Sequence, residues 1–316
     1  MNTPPPTTFS IVIETDNLAL VDPDELRACL STLDRQGDVL RRAAGIFVAD
    51  GGTVPAALLQ ELTGRYPWLT VVRADADTSY YALKVAGALE TQSEIIVFCD
   101  SDVQYEAGWL AGLLAAFDER PDADVIAGET TTPVSGPYTL AFALSFNFPR
   151  FSGESRLSAS TTYWANNVAA RRTTLTRLPL PDEPTMFRGQ NLLHANRILA
   201  QAGIILRQPV ARAWHSVLPP SAIMQRYYTL GRDAAMIRAI TTQESGRPHL
   251  GAMAPDRSGT GVVGRLIDRL GQLKRSQPSA LLWLPLALPA LAIMGAAYLA
   301  GRATANQRLR RHEQCR

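Results

Sequence analysis

Short apolar runs alternate with helix-like segments up to about residue 130, and this alternation constrains the fold more than any other feature of the chain. The apolar runs lie at residues 9–13, 46–49, 70–72 and 95–99, and segments with helical spacing follow them at 25–36, 55–66, 80–91 and 107–120. The runs lack polar alternation, as do parallel strands that are covered on both faces. We therefore expect a doubly wound α/β fold with a mostly parallel sheet.

The last of these runs ends in two acidic side chains, Asp100 and Asp102. Side chains two positions apart on an extended chain lie on the same face, so both carboxylates can converge on one cation. Ligands of open α/β sheets bind in the crevice beyond the carboxyl ends of the strands. A hard cation with oxygen ligands commonly accompanies a phosphate-bearing substrate, so the pair predicts a divalent-metal site for such a substrate.

The Asp-x-Asp pattern alone does not identify this site, because it occurs at Asp22/Asp24, Asp75/Asp77, Asp100/Asp102 and Asp122/Asp124. The first pair indicates a helix start, with Asp22 as the N-cap and Pro23 at the first helical position. The last pair precedes a strand-like run and so lies at its wrong end. Asp75/Asp77 is the one serious rival, and the position at the end of a strand favours Asp100/Asp102.

Composition argues against some classes of function. A chain of 316 residues with 46% hydrophobic content suits one large domain or two small ones, and a net charge of +2 gives no basis for nucleic-acid binding. Cys29, Cys99 and Cys315 have neither metal-ligand spacing nor the pattern of a disulfide framework, which favours a reducing compartment. No Lys or Arg precedes Arg27, so we expect no secretory signal and a cytoplasmic catalytic part.

Residues 130–160 are rich in Ser, Thr, Gly, Pro and Phe and have weak periodicity, which suggests a substrate-facing region. Its aromatic side chains either line an acceptor groove, contact lipid or pack in a core; they are Tyr138, Phe142, Phe146, Phe148 and Phe151. Helices are predicted over 191–202 and 221–241, and residues 242–262 lack periodicity, as a linker does.

The C-terminal part predicts a membrane segment. Residues 264–274 alternate apolar and basic side chains at helical spacing, and residues 279–301 contain no charged residue over 23 positions. As a helix this stretch reaches about 34 Å, against a hydrocarbon thickness of about 30 Å. Basic residues flank it on both sides, so the positive-inside rule gives no orientation. A single span, a re-entrant hairpin with both flanks cytoplasmic, and a buried core helix remain open.

From about residue 9 to residue 238 the sequence resembles the family 2 glycosyltransferases, inverting enzymes with the GT-A fold. The resemblance places Thr15, Asp16 and Asn17 in the turn that contacts the nucleotide, where Glu14 departs from the usual pattern. It makes Asp50 the residue that recognises the base. It implies that Asp100-Ser101-Asp102 holds Mn²⁺ or Mg²⁺ bridging the diphosphate of a sugar nucleotide.

Further matched positions extend the implied donor site. Asn166-Asn167 and Arg171-Arg172 are similar to a family segment beside the donor sugar, although the asparagines also suit a turn and the arginines a solvated face. A histidine that completes the metal or diphosphate site corresponds to His215. The remaining implied donor-binding residues are Lys84, Ser101, Asn167, Arg188 and Arg232. Arg232 suits either phosphate binding or a surface salt bridge.

The general base is the weakest part of the resemblance. Family members commonly carry Glu-Asp at the start of the helix where this chain has Gln190-Asn191, and an amide cannot accept a proton as a carboxylate does. Asp182 and Glu183 are the nearest acids in sequence. Either the base is supplied elsewhere, or the acceptor needs less activation, or sugar transfer is lost.

The resemblance implies an inverting, metal-dependent transferase that moves a single sugar, because the signature of processive members is missing. A hexose from a UDP-sugar is expected to go to a lipid-linked or envelope glycan at the bacterial cytoplasmic membrane, with the catalytic domain on the cytoplasmic side. The expected domains are a catalytic domain at 1–241, with a nucleotide half at 9–130 and an acceptor half at 131–241, a linker at 242–262, and a membrane-attached part at 263–316.

Two other functions stay open. A degenerate domain could bind a sugar nucleotide without turnover and act as a membrane-anchored partner or sensor, as Gln190-Asn191 would favour. A nucleotidyltransferase would also use a metal ion to bind substrate phosphates, but the chain has no Gly-rich, basic phosphate loop after its first strand.

Overall fold

A computed structural model describes residues 7–145, 148–183, 186–245 and 262–314. Its strands are, in chain order, β1 Phe9–Glu14, β2 Gly45–Asp50, β3 Leu69–Arg73, β4 Ile95–Asp100, β5 Val103–Tyr105, β6 Val125–Thr131, β7 Ser158–Ala159, β8 Asn167–Arg171 and β9 Ile205–His215. Its helices are α1 Asp24–Asp34, α2 Asp38–Arg41, α3 Ala56–Arg65, α4 Tyr80–Leu89, α5 Trp109–Glu119, α6 Pro137–Leu144, α7 Arg172–Arg177, α8 Gln190–Ala200, α9 Pro220–Ser245, α10 Val262–Ser276 and α11 Leu284–Gln314. Short 3₁₀ helices cover Asp16–Ala19 and Pro278–Trp283.

The sheet has a parallel half and a mixed half. Its strand order is β3-β2-β1-β4-β8-β6-β9-β5, with β7 paired to β9. The first four of these strands run parallel, whereas β8 runs antiparallel to both of its neighbours. Because β1 and β4 are parallel neighbours in register, Glu14 lies beside Asp100 at the same edge. This edge is where the sequence predicted a site.

Helices cover both faces of the sheet, so the predicted doubly wound α/β fold is confirmed. One core packs α1, α3 and α5 against the sheet through side chains such as Leu26, Leu59 and Leu113, all at most 2% exposed. A second core on the other face contains Tyr81 from α4 and Ile198 from α8. The two proposed halves of the catalytic domain contribute strands to this one sheet, and their division stays a prediction.

Several local predictions can be compared with the described residues. Helix α1 begins at Asp24, one residue after Pro23, which the capping pattern made the first helical position; the carboxylate of Asp22 accepts a hydrogen bond from the Asp24 amide at 2.9 Å. Asp75 and Asp77 are exposed in the loop before α4, which removes them as rivals for the metal site. Asp124 precedes β6, as expected, and accepts from the Ile204 amide.

Helices α6, α9, α10 and α11 form an additional apolar layer beside the sheet. Phe142, Tyr227, Leu273 and Met294 are buried together there. The segment Pro278–Leu309 is long and apolar enough to cross a membrane, although only 17% of its most apolar window is buried. Most of the predicted linker, residues 246–261, lies outside the described residues, as does Phe146.

Candidate functional site

The strand ends bring the predicted metal ligands together. Asp100 ends β4, Asp102 follows in the turn to β5, and β5 pairs with β9 so that Val103 lies opposite His215. One ligand atom of each of Asp100, Asp102 and His215 lies within 4.8 Å of the other two. All three residues are buried, with exposures of 3%, 1% and 6%. The sequence expectation that these residues converge therefore agrees with the geometry.

The environment of His215 suits metal binding. Its Nδ1 lies 2.7 Å from the Ser216 carbonyl oxygen, so this nitrogen carries the proton and donates it. Its other nitrogen, Nε2, lies 3.5 Å from Asp102 Oδ2 and is the nitrogen available to a metal ion. A histidine whose other nitrogen donates to a carbonyl is a common arrangement in metal sites. Two carboxylates and this imidazole form a donor set that fits Mn²⁺ or Mg²⁺.

Asp100 is already held by protein donors. Tyr80 OH lies 2.8 Å from its Oδ1, and the Lys84 ammonium donates to the same oxygen at 2.6 Å. Lys84 also donates to the Cys99 carbonyl at 2.8 Å and has no exposed side-chain surface. A buried ammonium therefore neutralises the carboxylate that faces the cavity. The Lys84 ammonium thus contacts Asp100 directly, whereas the family resemblance implied that it binds the sugar nucleotide.

Asn17 links the acidic groups. Its Nδ2 lies 3.0 Å from Asp100 Oδ2, 3.1 Å from Asp102 Oδ1 and 3.1 Å from Glu14 Oε1. Burial and the neighbouring Asp100 charge raise the pKa of Glu14 well above its ordinary value. Burial also raises the pKa of Asp102, against the lowering effect of His215. Crowded acidic groups of this kind gain from a cation that balances their charge.

Arg188 joins the nucleotide turn to the helical side of the site. Its guanidinium donates to Asp16 Oδ2 and Asn17 Oδ1, both at 2.7 Å. It also stacks over the Tyr80 ring at 4.0 Å. Asp233 on α9 accepts from the Arg188 backbone amide at 2.8 Å and so fixes the turn before α8. The predicted residues Asp16, Asn17 and Arg188 thus form one connected group.

A cavity of about 60 Å³ opens beside these groups. Asp100, His215, Asn17 and Arg188 line its polar side. Its other walls are mostly aromatic and aliphatic, and contain Phe142, Phe148, Trp164, Leu218 and Leu230. Phe148 packs against both Trp164 and His215, with ring centroids 4.9 Å and 4.8 Å apart. The site therefore joins a charged ligand-binding edge to an apolar pocket.

Arg226 on α9 was not singled out as a site residue from the sequence, yet it lines this cavity. Its Nε and Nη1 are buried and have no hydrogen-bond partner among the described residues. Burial, followed by the nearby Arg188 charge, lowers the pKa of Arg226 to about 10. A guanidinium with two buried, unused donor nitrogens is costly unless an anion occupies the cavity.

Thr15 and Asp50 lie at the neighbouring strand ends. The Thr15 hydroxyl donates to Asp50 Oδ1 at 3.0 Å, and the Val54 amide donates to the same oxygen at 3.1 Å. The other oxygen of Asp50 pairs with Arg73 at 2.6 Å. Ser101 is fully buried between the two metal-site aspartates, and its Oγ has no partner among the described residues. None of these side chains lines the cavity.

Asn167 and Arg232 are placed differently from the prediction that they bind the donor. Asn167 is fully buried, accepts from Trp109 Nε1 at 2.7 Å and donates to two backbone carbonyls, so all of its polar atoms serve the core. Its neighbour Asn166 lines the cavity instead. Arg232 pairs with Asp233 and is not part of the cavity wall. Arg171 pairs with Glu94 at the end of β8 that lies away from Asn167.

The candidate bases are separated in space. Asp182 is exposed and accepts from Ser79 at 2.7 Å, and Glu183 also lies outside the cavity wall. The Gln190 side chain contacts the loop that precedes α8, where its Oε1 accepts a hydrogen bond from the Glu183 amide. Asn191 does line the cavity, with Oδ1 accepting from Tyr81 OH at 2.8 Å and Nδ2 donating to the Tyr163 carbonyl. Among the described lining residues, Asp100 is the only carboxylate.

Comparisons with known proteins agree with this geometry. Residues 10–171, about half of the chain, match the family model described as Glycosyl transferase family 2. A comparison with curated protein sequences finds no match.

Two similar solved structures show the same fold, the GT-A glycosyltransferase fold. One is the mannosyltransferase PcManGT from Pyrobaculum calidifontis in complex with GDP-Man and Mn²⁺, with a TM-score of 0.62, 16% identity, and coverage of 95% of this chain and 86% of that chain. The other is GalNAc-T7 with UDP, GalNAc and Mn²⁺, with a TM-score of 0.55 and 12% identity. That match covers 87% of this chain, which spans 59% of the GalNAc-T7 chain.

Proposed function

Because this chain belongs to glycosyl transferase family 2, we propose that it transfers a single sugar, with inversion, from a nucleotide-sugar donor to an acceptor at a membrane. That the chain is a glycosyltransferase follows from its family and from the fold of its structural neighbours. The observation that carries the finer proposal is the convergence of Asp100, Asp102 and His215 beside the cavity.

The donor site is proposed on the charged side of the cavity. Asp100, Asp102 and His215 would hold Mn²⁺ or Mg²⁺, which supplies a Lewis acid that stabilises the departing diphosphate. Both structural neighbours were solved with Mn²⁺ and with a nucleotide or nucleotide sugar, which supports this choice of cofactor and donor class. A UDP-sugar is our first candidate donor.

The chain's own cations complete the proposed diphosphate site. Arg226 lines the cavity, and its Nε and Nη1 have no hydrogen-bond partner among the described residues. The Arg188 guanidinium donates to Asn17 Oδ1 in the nucleotide turn at 2.7 Å. Guanidinium groups form strong hydrogen bonds to phosphate, because charge and donor geometry both fit. Thr15 and Asp50 lie next to this turn, which supports the assignment of the nucleoside to that side.

The acceptor would enter from the aromatic side. Phe142, Phe148 and Trp164 offer apolar surface for a sugar face or a lipid chain next to the metal ligands. Their layer is continuous with α11, since Phe142 and Met294 belong to one buried cluster. This continuity supports a lipid-linked or envelope acceptor. The buried thiols of Cys29 and Cys99 support a catalytic domain on the cytoplasmic side of the membrane.

A second candidate function is nucleotide-sugar binding without turnover, as in a membrane-anchored sensor. It is favoured by the absence of any carboxylate except Asp100 among the described cavity-lining residues. Asn191 faces the cavity but cannot take a proton from an acceptor hydroxyl at neutral pH. A bound sugar nucleotide that is never cleaved would select this candidate.

A donor screen tests the proposal. UDP-, GDP- and dTDP-sugars are incubated with the full chain and Mn²⁺, and release of nucleoside diphosphate is measured with wild type, Asp102→Ala and the exposed control Asp75→Ala. Release by wild type and Asp75→Ala, but not by Asp102→Ala, is expected. Equal release by Asp102→Ala would contradict the metal site. Faster transfer by Asn191→Asp would indicate that position 191 is where a general base takes the proton of the acceptor hydroxyl.

A further inference from the structure

The outward face of the C-terminal helical segment is apolar from residue 282 to residue 303. The exposed residues between positions 282 and 303 recur at intervals of one to three positions and include no polar side chain; they are Leu282, Pro285, Leu286, Leu288, Pro289, Ala292, Ile293, Ala296, Leu299, Ala300 and Ala303. Leu282 is 81% exposed and Leu286 is 68% exposed. An unbroken apolar stripe of this length is not expected on a face that meets water.

The opposite face of α11 is fixed to the catalytic domain. Ala287 and Met294 are buried with Tyr227 of α9 in one apolar cluster. At the crossing, a Cβ on Gly231 would lie 1.9 Å from the Tyr298 carbonyl oxygen, and a Cβ on Gly301 would lie 1.8 Å from the Tyr228 carbonyl oxygen. Backbone therefore meets backbone at two points, and the order of these contacts makes α9 and α11 antiparallel neighbours.

Helix α9 carries charged groups of the catalytic site along the same stretch. Arg226 lines the cavity, and the Arg232–Asp233 pair fixes the turn that contains Arg188. Charged side chains in the hydrocarbon region of a bilayer are strongly disfavoured. Because α11 is fixed alongside this stretch of α9, α11 cannot cross the bilayer without carrying these charges into it.

Basic side chains flank the apolar face. Lys274 and Arg275 precede it, and Arg302 and Arg308 follow it, while the sequence from residue 269 to residue 312 contains no Asp or Glu. Lys274, Arg275 and Arg308 are exposed. Helices that lie in a membrane interface combine an apolar face with basic residues that meet anionic headgroups. The charge pattern therefore fits an anionic lipid surface.

We propose that α11 lies in the plane of an anionic membrane surface, with its outward face among the lipid chains, and does not span the bilayer. The catalytic cavity then lies one helix away from the lipid, because α9 contacts α11 on one side and lines the cavity on the other. The inference deepens the membrane association proposed above, and its test does not depend on sugar transfer.

The depth of α11 in a bilayer provides the test. The full chain with Cys315→Ser receives one new cysteine at Leu286, Ile293 or Ala300, each exposed, while Cys29 and Cys99 are buried and stay unlabelled. Each cysteine carries an environment-sensitive fluorophore, and the protein is bound to vesicles of phosphatidylcholine and phosphatidylglycerol. Lipids with quenchers at a shallow or a deep chain position then report depth. Equal, shallow depths are expected at all three positions, whereas a deeper position 293 would overturn the proposal in favour of a span.

A charge on the apolar face gives an independent readout. Ile293→Lys should weaken binding to the same vesicles by at least about tenfold, because insertion of a charged side chain among the lipid chains is unfavourable. Leu89→Lys is the matched control, since Leu89 is 73% exposed on α4 and should leave binding unchanged. Unchanged binding by Ile293→Lys would overturn the proposal, as would a stable lipid-free dimer that buries this face. Loss of sugar transfer with normal vesicle binding would refute the enzymatic proposal alone.

Discussion

The buried Lys84–Asp100 pair makes a quantitative prediction about the link between folding and metal binding. Its N–O distance is 2.6 Å, and the exposed fractions of the two side chains are 0% and 4%. Solvent therefore screens the pair little. In Lys84→Met, a side chain of similar length keeps the packing, but Asp100 loses the cationic partner that the described residues give it. Tyr80 and Asn17 still donate to it.

Breaking a buried ion pair from one side typically costs about 3–5 kcal/mol, because an uncompensated charge stays buried. With two hydrogen bonds retained, we expect the lower part of that range for Lys84→Met. This is a large share of the about 5–15 kcal/mol that stabilises a typical domain. Mn²⁺ should return part of the loss, since a ligand at about 100 times its Kd contributes about 2.7 kcal/mol. The recovery should exceed the effect of Mn²⁺ on wild type, where Lys84 competes for Asp100.

Urea unfolding with and without Mn²⁺ measures both effects. The control is Lys274→Met, since Lys274 is the chain's only other lysine and is exposed; it should stay within about 0.5 kcal/mol of wild type. The double variant Lys84→Met/Asp100→Asn should be more stable than Lys84→Met, because the stranded charge is gone. A cost below about 1 kcal/mol for Lys84→Met, or an equal response of both proteins to Mn²⁺, would refute the reasoning.

Three further predictions concern single residues. Arg226→Met should lower kcat/KM for the donor by about 10- to 150-fold, the equivalent of a charged hydrogen bond, without lowering the melting temperature; a lower melting temperature with unchanged kinetics would make Arg226 structural. Burial lowers the pKa of His194 from 6.5 to about 4, so on acidification the unfolded chain binds this proton before the folded chain does, and up to about 3 kcal/mol of stability should be lost between pH 6.5 and 4. Urea unfolding of His194→Gln should therefore show a flatter pH dependence than that of wild type. An identical pH dependence would exclude His194 as the cause of the acid destabilisation. Gly231→Ala should destabilise the chain by about 1–3 kcal/mol in the same assay, because its methyl group meets the Tyr298 carbonyl. Gly295→Ala, where a Cβ meets nothing within 4 Å, should not be destabilised, and equal losses would contradict the crossing.

The sequence was sufficient to predict the edge of the sheet at which the site lies. Asp100 and Asp102 were placed there because an apolar run precedes them, and parallel strands end at a common edge. The same reasoning could have placed Glu14 beside Asp100, since both residues end neighbouring parallel strands. That placement also requires β1 and β4 to be neighbours, and the apolar pattern alone does not give the order of the strands in the sheet.

Side-chain direction was harder to predict than position along the chain. Asn166 lies in the turn before β8, whereas Asn167 is the first residue of that strand, so their side chains have different surroundings. The resemblance selected Asn167, whereas the structure directs Asn167 into the core beside Trp109. Asp182 was the nearest acid in sequence to the expected base, but its loop carries it to Ser79 at the surface. Nearness in sequence is a poor guide where a turn reverses the chain.

Arg226 illustrates a different limit. A basic residue on an amphipathic helix usually faces water, and only the packing of α9 against α8 and α11 shows that two of the guanidinium nitrogens are buried. Lys84 is similar, because burial of a lysine is disfavoured unless a partner compensates its charge. Both positions became recognisable once the carboxylates and the cavity were in place.

Direct measurement of Mn²⁺ binding tests the central claim that Asp100, Asp102 and His215 form one metal site. Electron paramagnetic resonance of free Mn²⁺ is recorded while the full chain is titrated, with and without UDP or GDP. We expect one saturable ion per chain, tighter binding in the presence of a nucleoside diphosphate, and loss of binding in both Asp102→Asn and His215→Gln. Saturable binding that persists unchanged in both variants, or the absence of any saturable binding to wild type, would contradict it.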